Sequence, residues 1–390
     1  MEILHRLRPT QQLTLNRELI MSKLIRSSLI LFATAAITAC ASGGGTTQLP
    51  NDGGVGPADQ TVSTTNAPWQ LRTREHLDLW LHGYAMIQDD TSLVPLFRRG
   101  YKSEMRAMRT RANVSTQLDA NMTALRARFV VNPALGNAHF LPLQFAAPES
   151  MRRAIDQFIS AEGDPRRAQS QEGANAIALL ANYFPTGPDR DWLRLFWQGL
   201  NEESTRFYHD YWTREQANRA MVLRRVDQLW QQHRPALQTY MSNSQQGGGT
   251  IFLSLPLNGE GRTTAAGRNN TITAVTFPAS ENDAIDAVYV IVHELMFAAA
   301  NTAVTDNITP TEQRDGAGDR YVSSAAVRGG LILLQKAIPS LADGYARYYL
   351  RSANRQPGTN PQTTLATVFP LPEPIRTALT RQLDVVLGGI

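Results

Sequence analysis

Two adjacent residues, His293 and Glu294, have side chains that can carry acid–base or metal chemistry. They lie in the apolar segment DAIDAVYVIVHELMFAAAN, which predicts a helix over about 282–302 with apolar residues on nearly every face. Such a helix is expected at the centre of the fold, where a buried glutamate needs a partner or acquires a raised pKa. An imidazole can bind a metal ion, and a neighbouring carboxylate can activate metal-bound water. The pair is therefore the candidate site.

Two β-type runs precede this helix and favour a hairpin beside it. TIFLSLPL and TITAVTF are joined by the Gly- and Asn-rich connection NGEGRTTAAGRNN, and further helices follow the His-Glu segment. This order of hairpin, His-Glu helix and more helices resembles the core of the zincin metallopeptidases, whose helix reads H-E-x-x-H. The resemblance covers roughly residues 250–320.

The resemblance implies a role for particular residues, and one position departs from the family pattern. By it, His293 is the first metal ligand and Glu294 is the general base. Phe297 stands where the second metal-binding histidine belongs, and phenylalanine has no lone pair to donate. In the gluzincin branch a glutamate on a following helix is the third ligand, a role for which Glu312 is the candidate here.

Three interpretations of the pair remain open from the sequence. The two residues can be satisfied polar groups of a structural helix, because buried polar groups are ordinarily paired. They can belong to a zincin-derived fold that no longer holds a catalytic zinc, because a fold does not fix a function. They can form an active metallohydrolase, which then needs a replacement ligand such as Glu312, Asp315 or Asp319. We expect no bound cofactor. If the protein does bind one, the zincin resemblance implies that it is zinc.

The N-terminal residues carry the pattern of an exported lipoprotein. A short, positively charged start precedes an uncharged apolar stretch that is too short to span a bilayer, as in a signal peptide. The stretch ends in ITAC, which resembles the bacterial lipobox, so residues 1–39 are predicted to be a leader and Cys40 the lipidated residue. A true start at Met21 is an open alternative. The resemblance implies export to the bacterial envelope. In a cell that has an outer membrane, that membrane is favoured, with the protein facing the periplasm, because Ala41, and not an aspartate, follows the cysteine.

Composition divides the rest of the chain into three regions. Residues 40–68 are rich in Gly, Thr, Asn and Pro and are predicted to be the lipidated cysteine followed by a flexible tether. Residues 69–245 show the spacing of helices, and 246–390 hold the two β-type runs and further helices, the suspected zincin-like core. We predict a mainly α fold with a small β-hairpin or sheet, of the α+β class. Whether 69–390 form one domain or two stays open.

Charge and cysteine content exclude several classes of protein. The chain has 38 Lys and Arg against 34 Asp and Glu, and after residue 39 the balance is 33 against 32. The sequence therefore predicts no nucleic-acid partner, since such proteins carry a strongly basic surface. A single cysteine excludes an internal disulfide and zinc sites built from several cysteines.

The predicted partners are a membrane, through the lipid anchor, and a peptide or envelope polymer. The aromatic run Phe207–Trp212 could line a groove for a polymer, although aromatic residues on a helix are more often core. The phenols of Tyr345, Tyr348 and Tyr349 could stabilise an oxyanion beside a metal, or pack in the core.

Together these patterns predict an exported, membrane-anchored lipoprotein with a metallopeptidase-like domain that is non-catalytic or atypical. The alternatives are a non-enzymatic binding or structural lipoprotein of the envelope, and an active metallohydrolase with a replacement metal ligand. Metal content of the purified protein separates the last of these from the others.

Overall fold

The computed structural model describes residues 69–265 and 271–388 of the chain. The predicted leader, the lipidated Cys40 and the tether lie outside the described residues. Over the described ranges the structure is 70% helical with a small four-stranded sheet, which confirms the predicted mainly α fold with a small sheet.

Every α-helix of the described residues precedes the second strand or follows the fourth. The strands are β1 (Trp69–Arg72), β2 (Gly249–Ser254), β3 (Arg262–Ala265) and β4 (Thr271–Thr276). The earlier helices are α1 (Glu75–Ile87), α2 (Tyr101–Arg111), α3 (Gln117–Ala120), α4 (Met122–Val131), α5 (Pro148–Ser160), α6 (Gln171–Tyr183), α7 (Gly187–Glu203), α8 (His209–Asn218) and α9 (Ala220–Asn243). The later helices are α10 (Ala284–Thr305), α11 (Pro310–Arg314), α12 (Ala317–Ala337), α13 (Pro339–Ser352), α14 (Pro361–Val368) and α15 (Glu373–Val386). A π-helical turn, Ser204–Tyr208, joins α7 to α8.

The sheet has the strand order β1-β2-β4-β3. β1 pairs in parallel with β2, and β2 pairs in parallel with β4, whereas β3 is antiparallel to β4 and forms an edge. The last four residues of β2 are all buried, as expected for a strand that is covered on both faces. Because β1 belongs to the region 69–245, this region and the C-terminal region share one sheet and one hydrophobic core.

The prediction that TIFLSLPL and TITAVTF pair with each other as a hairpin is wrong. They contain β2 and β4, which run parallel, and the antiparallel hairpin is made by β3 and β4. β3 lies inside the connection that was expected to be a long loop. The physical reason is that continuous apolar runs suit strands buried on both faces, which are typical of parallel pairs, and parallel neighbours require a crossover connection.

Helix α10 is the central helix of the C-terminal region, as its composition predicts. It packs against α9, α12, α13 and α15 and against the β3–β4 hairpin. Among the described residues, the segment Glu281–Thr305 is the one helix that is long and apolar enough to cross a membrane, and 72% of its apolar window is buried inside the fold. Its hydrophobic residues therefore pack in the core.

The aromatic run Phe207–Trp212 lies on the π-helical turn and the first residues of α8. Its large side chains are at most 9% exposed; they are Phe207, Tyr208, Tyr211 and Trp212. They belong to the hydrophobic core of the helical region and not to an open groove.

Candidate functional site

His293 and Glu294 are buried side by side on α10 and are hydrogen-bonded to each other. The two residues are 1% and 3% exposed. Nδ1 of His293 lies 2.9 Å from Oε1 of Glu294. The backbone N–H of Gly261, just before β3, donates to the same oxygen at 2.9 Å. The expectation that a glutamate at this buried position requires partners is thus confirmed, and one of these partners comes from outside the helix.

A Gly-Glu-Gly segment at 259–261 brings a second carboxylate to this pair. A β-carbon at position 259 would crowd the side chains of Val94 and Ser352. At position 261 it would collide with the carbonyl oxygen of Ala274 on β4. The absence of a β-carbon lets the backbone approach β4 and Glu294 closely at Gly261 and approach Ser352, the last residue of α13, at Gly259. Glu260 lies between these two points of close approach.

Glu260 is half-buried, and its carboxylate lies near other charged groups. The hydroxyl of Ser323, on α12, donates a hydrogen bond of 3.1 Å to its Oε1. Burial raises the pKa of Glu260 to about 7, since the lowering effect of His293 is opposed by the neighbouring carboxylates of Glu294 and Asp90. At neutral pH the carboxyl group of Glu260 is therefore balanced between its neutral and its charged form.

Tyr349, on α13, connects α10 to the Gly-Glu-Gly segment. Its ring stacks on that of His293, with centroids 5.3 Å apart and an angle of 25° between the planes. Its hydroxyl donates a hydrogen bond of 3.1 Å to the carbonyl of Gly259. Burial raises the pKa of Tyr349 well above its usual value, so the phenol remains a hydrogen-bond donor. The site therefore contains an imidazole, two carboxylates and a neutral phenol.

The residues that the zincin resemblance suggests as metal ligands do not form a three-ligand zinc site. Phe297 is half-buried and has no donor atom. The carboxylate of Glu312 accepts hydrogen bonds from the backbone and hydroxyl of Thr309 and from the hydroxyl of Tyr321, so it is engaged at the start of α11 and not with His293. Over residues 69–265 and 271–388, no group of three or more His, Cys, Asp or Glu side chains is arranged to hold a metal ion.

One atom of the site has no hydrogen-bond partner. Nε2 of His293 is buried, and none of the residues that the structure describes bonds to it. An orphaned buried nitrogen of this kind is what a metal-binding histidine presents before its metal is bound. The fit to zinc thus fails on the number of ligands, while His293 itself is suited to bind a metal.

A second buried polar cluster lies in the helical region around the carboxylate of Glu203. Glu203, at the end of α7, is 0% exposed. Its carboxylate contacts Nε2 of His82 at 3.2 Å and Nε of Arg109 at 3.3 Å, and it accepts a hydrogen bond of 2.6 Å from Thr116. Burial raises the pKa of Glu203, but these partners outweigh it and hold the pKa below its usual value. The cluster ties α1, α2 and α7 together and is structural.

Glu260 is the site residue that the sequence did not single out, because the segment was interpreted as a hairpin connection. The available signal was an acid between two glycines, directly before an edge strand. Two glycines that flank one acidic residue indicate that the backbone passes close to another segment of the protein, but they do not identify that segment.

No protein-family model, curated protein or solved structure matches the chain. What the site can do therefore follows from its own geometry and from the chemistry of its four side chains.

Proposed function

We propose that this protein is an exported lipoprotein, anchored through Cys40, with a metallopeptidase-like domain that lacks the zinc-dependent hydrolysis of that family. The anchor is supported by the ITAC sequence and by the Gly-rich residues that separate it from Trp69, where β1 begins. The metallopeptidase-like character is supported by the position of His293 and Glu294 on a central helix beside the β3–β4 hairpin.

One contact carries the second part of the proposal. The N–H of Gly261 donates to Glu294, so the start of edge strand β3 is joined directly to the acid of the His-Glu pair. A hairpin edge that runs beside a His-Glu helix is the arrangement that the zincin resemblance implies. Position 297, one turn after His293, is where that arrangement departs from an active enzyme.

The absence of zinc-dependent hydrolysis in this proposal follows from ligand chemistry and burial. A catalytic zinc has three protein ligands and an open position for water or substrate. Phe297 supplies no donor atom, and Glu312 is bonded elsewhere. His293 and Glu294 are almost completely buried, so a polymer chain does not reach them. In this proposal the His293–Glu294 pair has a structural role and holds the start of β3 against α10. The domain itself acts in the envelope by binding a peptide or polymer.

Two measurements on the full-length protein test this proposal. Bacteria that express the wild type or Cys40→Ser are labelled with an alkyne fatty acid, and we expect label on the wild type alone. Equal labelling of both proteins would contradict the anchor. The purified wild type and Glu294→Gln are then incubated with denatured protein substrates in the presence of zinc. We expect no cleavage by either; cleavage by the wild type that Glu294→Gln abolishes would show an active metallohydrolase instead.

A further inference from the structure

Residues 98–131 carry an excess of positive charge that the chain as a whole does not show. They contain eight of the 33 basic residues that follow residue 39, but only two of the 32 acidic ones. Of these two acids, Glu104 is paired with Arg98 at 2.7 Å. The other, Asp119, is paired with Arg109. Neither acid is therefore left to offset the other basic residues of the segment.

Three arginines of this segment are exposed and have no acidic partner within the described part of the chain. Arg106 and Arg111, both on α2, form no ion pair there. Arg99, just before α2, donates a hydrogen bond to the backbone carbonyl of Ser352 and likewise pairs with no described carboxylate. An exposed guanidinium without a counter-charge on its own protein can pair with an anion of another molecule.

The carboxylate of Asp89 joins α2 to α4 and brings basic residues of the two helices together. Its Oδ1 lies 2.8 Å from Nζ of Lys102, and its Oδ2 accepts a hydrogen bond of 2.5 Å from Arg126. Arg106 follows Lys102 by one helical turn and lies beside it on α2. In the same way, Val130 follows Arg126 by one turn on α4. Arg106 and Val130 are therefore each one turn away from a residue that binds Asp89.

Two neighbouring valines are exposed beside these basic residues. Val130 and Val131, at the end of α4, are 61% and 71% exposed and are the most exposed large hydrophobic side chains of the described residues. Scattered exposed apolar residues are ordinary, but an adjacent pair beside unpaired arginines fits one kind of partner. A soluble polyanion binds to the arginines alone, whereas a lipid surface also takes up apolar side chains beneath its headgroups. Together, Lys102, Arg106, Arg126, Val130 and Val131 form the α2–α4 face.

We propose that the α2–α4 face lies on the surface of a membrane that contains anionic lipids, with its basic side chains among the headgroups and the two valines below them. Each basic residue close to such a surface adds to the attraction. The inference rests on the proposed anchor at Cys40, because a domain that is already tethered to a membrane needs only a weak contact to stay on it. This contact determines which side of the domain faces the bilayer and which side remains open to a ligand of the envelope.

The test compares two labelled positions of the full-length protein in vesicles. Val131→Cys and, as the matched control, Val385→Cys on α15 each introduce one cysteine at an exposed valine, and a fluorophore is attached to it. The proteins are reconstituted into vesicles that contain phosphatidylglycerol or phosphatidylcholine alone, with a nitroxide quencher on some headgroups. In the phosphatidylglycerol vesicles we expect several times more quenching at position 131 than at position 385. In phosphatidylcholine the difference should become small.

Arg106→Glu, added to Val131→Cys, tests the contribution of charge. It removes one attraction to the headgroups and adds a repulsion, so quenching at position 131 should fall by about half or more. Arg381→Glu makes the same change at an exposed arginine of α15 and should leave the quenching as it is. Both arginines are exposed, so we expect both variants to fold, and near-ultraviolet circular dichroism checks this.

The wild type, whose one cysteine is Cys40, distinguishes failure of the anchor from failure of this inference. A lipidated Cys40 has no free thiol, so fluorophore on the wild type would contradict the anchor and the inference together. An unlabelled wild type with equal quenching at positions 131 and 385, or no effect of Arg106→Glu, would overturn the inference alone. A fluorophore at position 131 that responds to soluble polyphosphate but is not quenched in vesicles would also overturn it, because the face then binds polyanions.

Discussion

The guanidinium of Arg262 lies over the ring of Phe297, 5.8 Å from its centroid. The preceding residue of the chain, Gly261, donates its N–H to Glu294. Two consecutive residues at the start of β3 are thus attached to two positions of α10 that lie within one turn of each other. The phenylalanine that occupies the second histidine position of the zincin pattern has a structural contact of its own, a cation over an aromatic face.

Phe297→His should create a zinc site that the wild-type chain lacks. Residues 293 and 297 are one helical turn apart on the same face, so a second imidazole there can join His293 at one metal ion. We expect zinc to copurify with the variant at near one ion per chain, and the wild type purified without added metal to contain far less. Elemental analysis of both proteins measures this.

Phe297→Leu is the control for the loss of the aromatic ring. It removes the contact with Arg262, worth about 0.5–1 kcal/mol, without adding a metal ligand. It should therefore carry no more zinc than the wild type. Equal zinc in the histidine and leucine variants would show that position 297 does not face the metal-binding nitrogen of His293, which would remove the support for the zincin resemblance.

Gly261→Ala should destabilise the protein more than Gly318→Ala. The new methyl group would collide with the carbonyl oxygen of Ala274 and approach Glu294, so the backbone at the start of β3 must move away from β4. We expect a loss of about 1–3 kcal/mol in the free energy of unfolding, measured by urea denaturation. Gly318→Ala, near the start of α12, meets only an ordinary contact with Ile308 and should stay within about 1 kcal/mol of the wild type. Similar losses in both variants would contradict the close approach at Gly261.

Asp78 should make stability depend on pH between about 4 and 7. The residue is 0% exposed, and burial raises its pKa to about 7 although the indole N–H of Trp212 and the backbone N–H of Leu255 donate hydrogen bonds to it and Arg219 is near. The folded state therefore keeps a proton that the unfolded chain has lost. Its contribution is complete below the unfolded pKa near 4 and is lost as the pH rises through 7, at up to about 1.4 kcal/mol per pH unit.

Asp78→Asn removes the titrating group and keeps its shape, so the loss of stability from pH 4 to 7 should become smaller. Part of the dependence should remain, since burial also raises the pKa of Asp286 to about 6 and that of Glu260 to about 7. The exposed Asp191, changed to Asn, is the control and should leave the dependence as it is. Denaturant midpoints of all three proteins are measured across this pH range. If stability falls with pH as steeply in Asp78→Asn as in the wild type, Asp78 is not the group responsible.

Deletion of residues 45–65 should leave the melting temperature of the folded part nearly unchanged. These residues lack core-forming side chains, and the first strand begins only at Trp69. Calorimetry of the deleted and full-length proteins under the same detergent conditions compares them. A fall of several degrees in the deletion would show that the predicted tether packs against the domain.

The helix that carries His293 could be predicted because its residues are apolar on nearly every face, and only a central position buries them all. The partners of the strands could not be predicted, since the runs that became β2 and β4 have the same composition whether they pair with each other in parallel or as a hairpin. Glu260 shows the same limit at the site. Its two glycine neighbours indicate that the backbone there passes close to another part of the protein. That the neighbouring residue is Glu294 is determined only by the tertiary fold.

β1 pairs with β2 from opposite ends of the helical region, Trp69 lying against Gly249. Because the protein is synthesised from its N-terminus, β1 is made long before its partner β2. Until β2 follows, Trp69 and Leu71, both completely buried in the finished fold, belong to an unpaired apolar strand of the kind that other chains can capture. The order of synthesis thus leaves β1 unpaired until the whole helical region has been made, and the helices between the two strands have time to fold first.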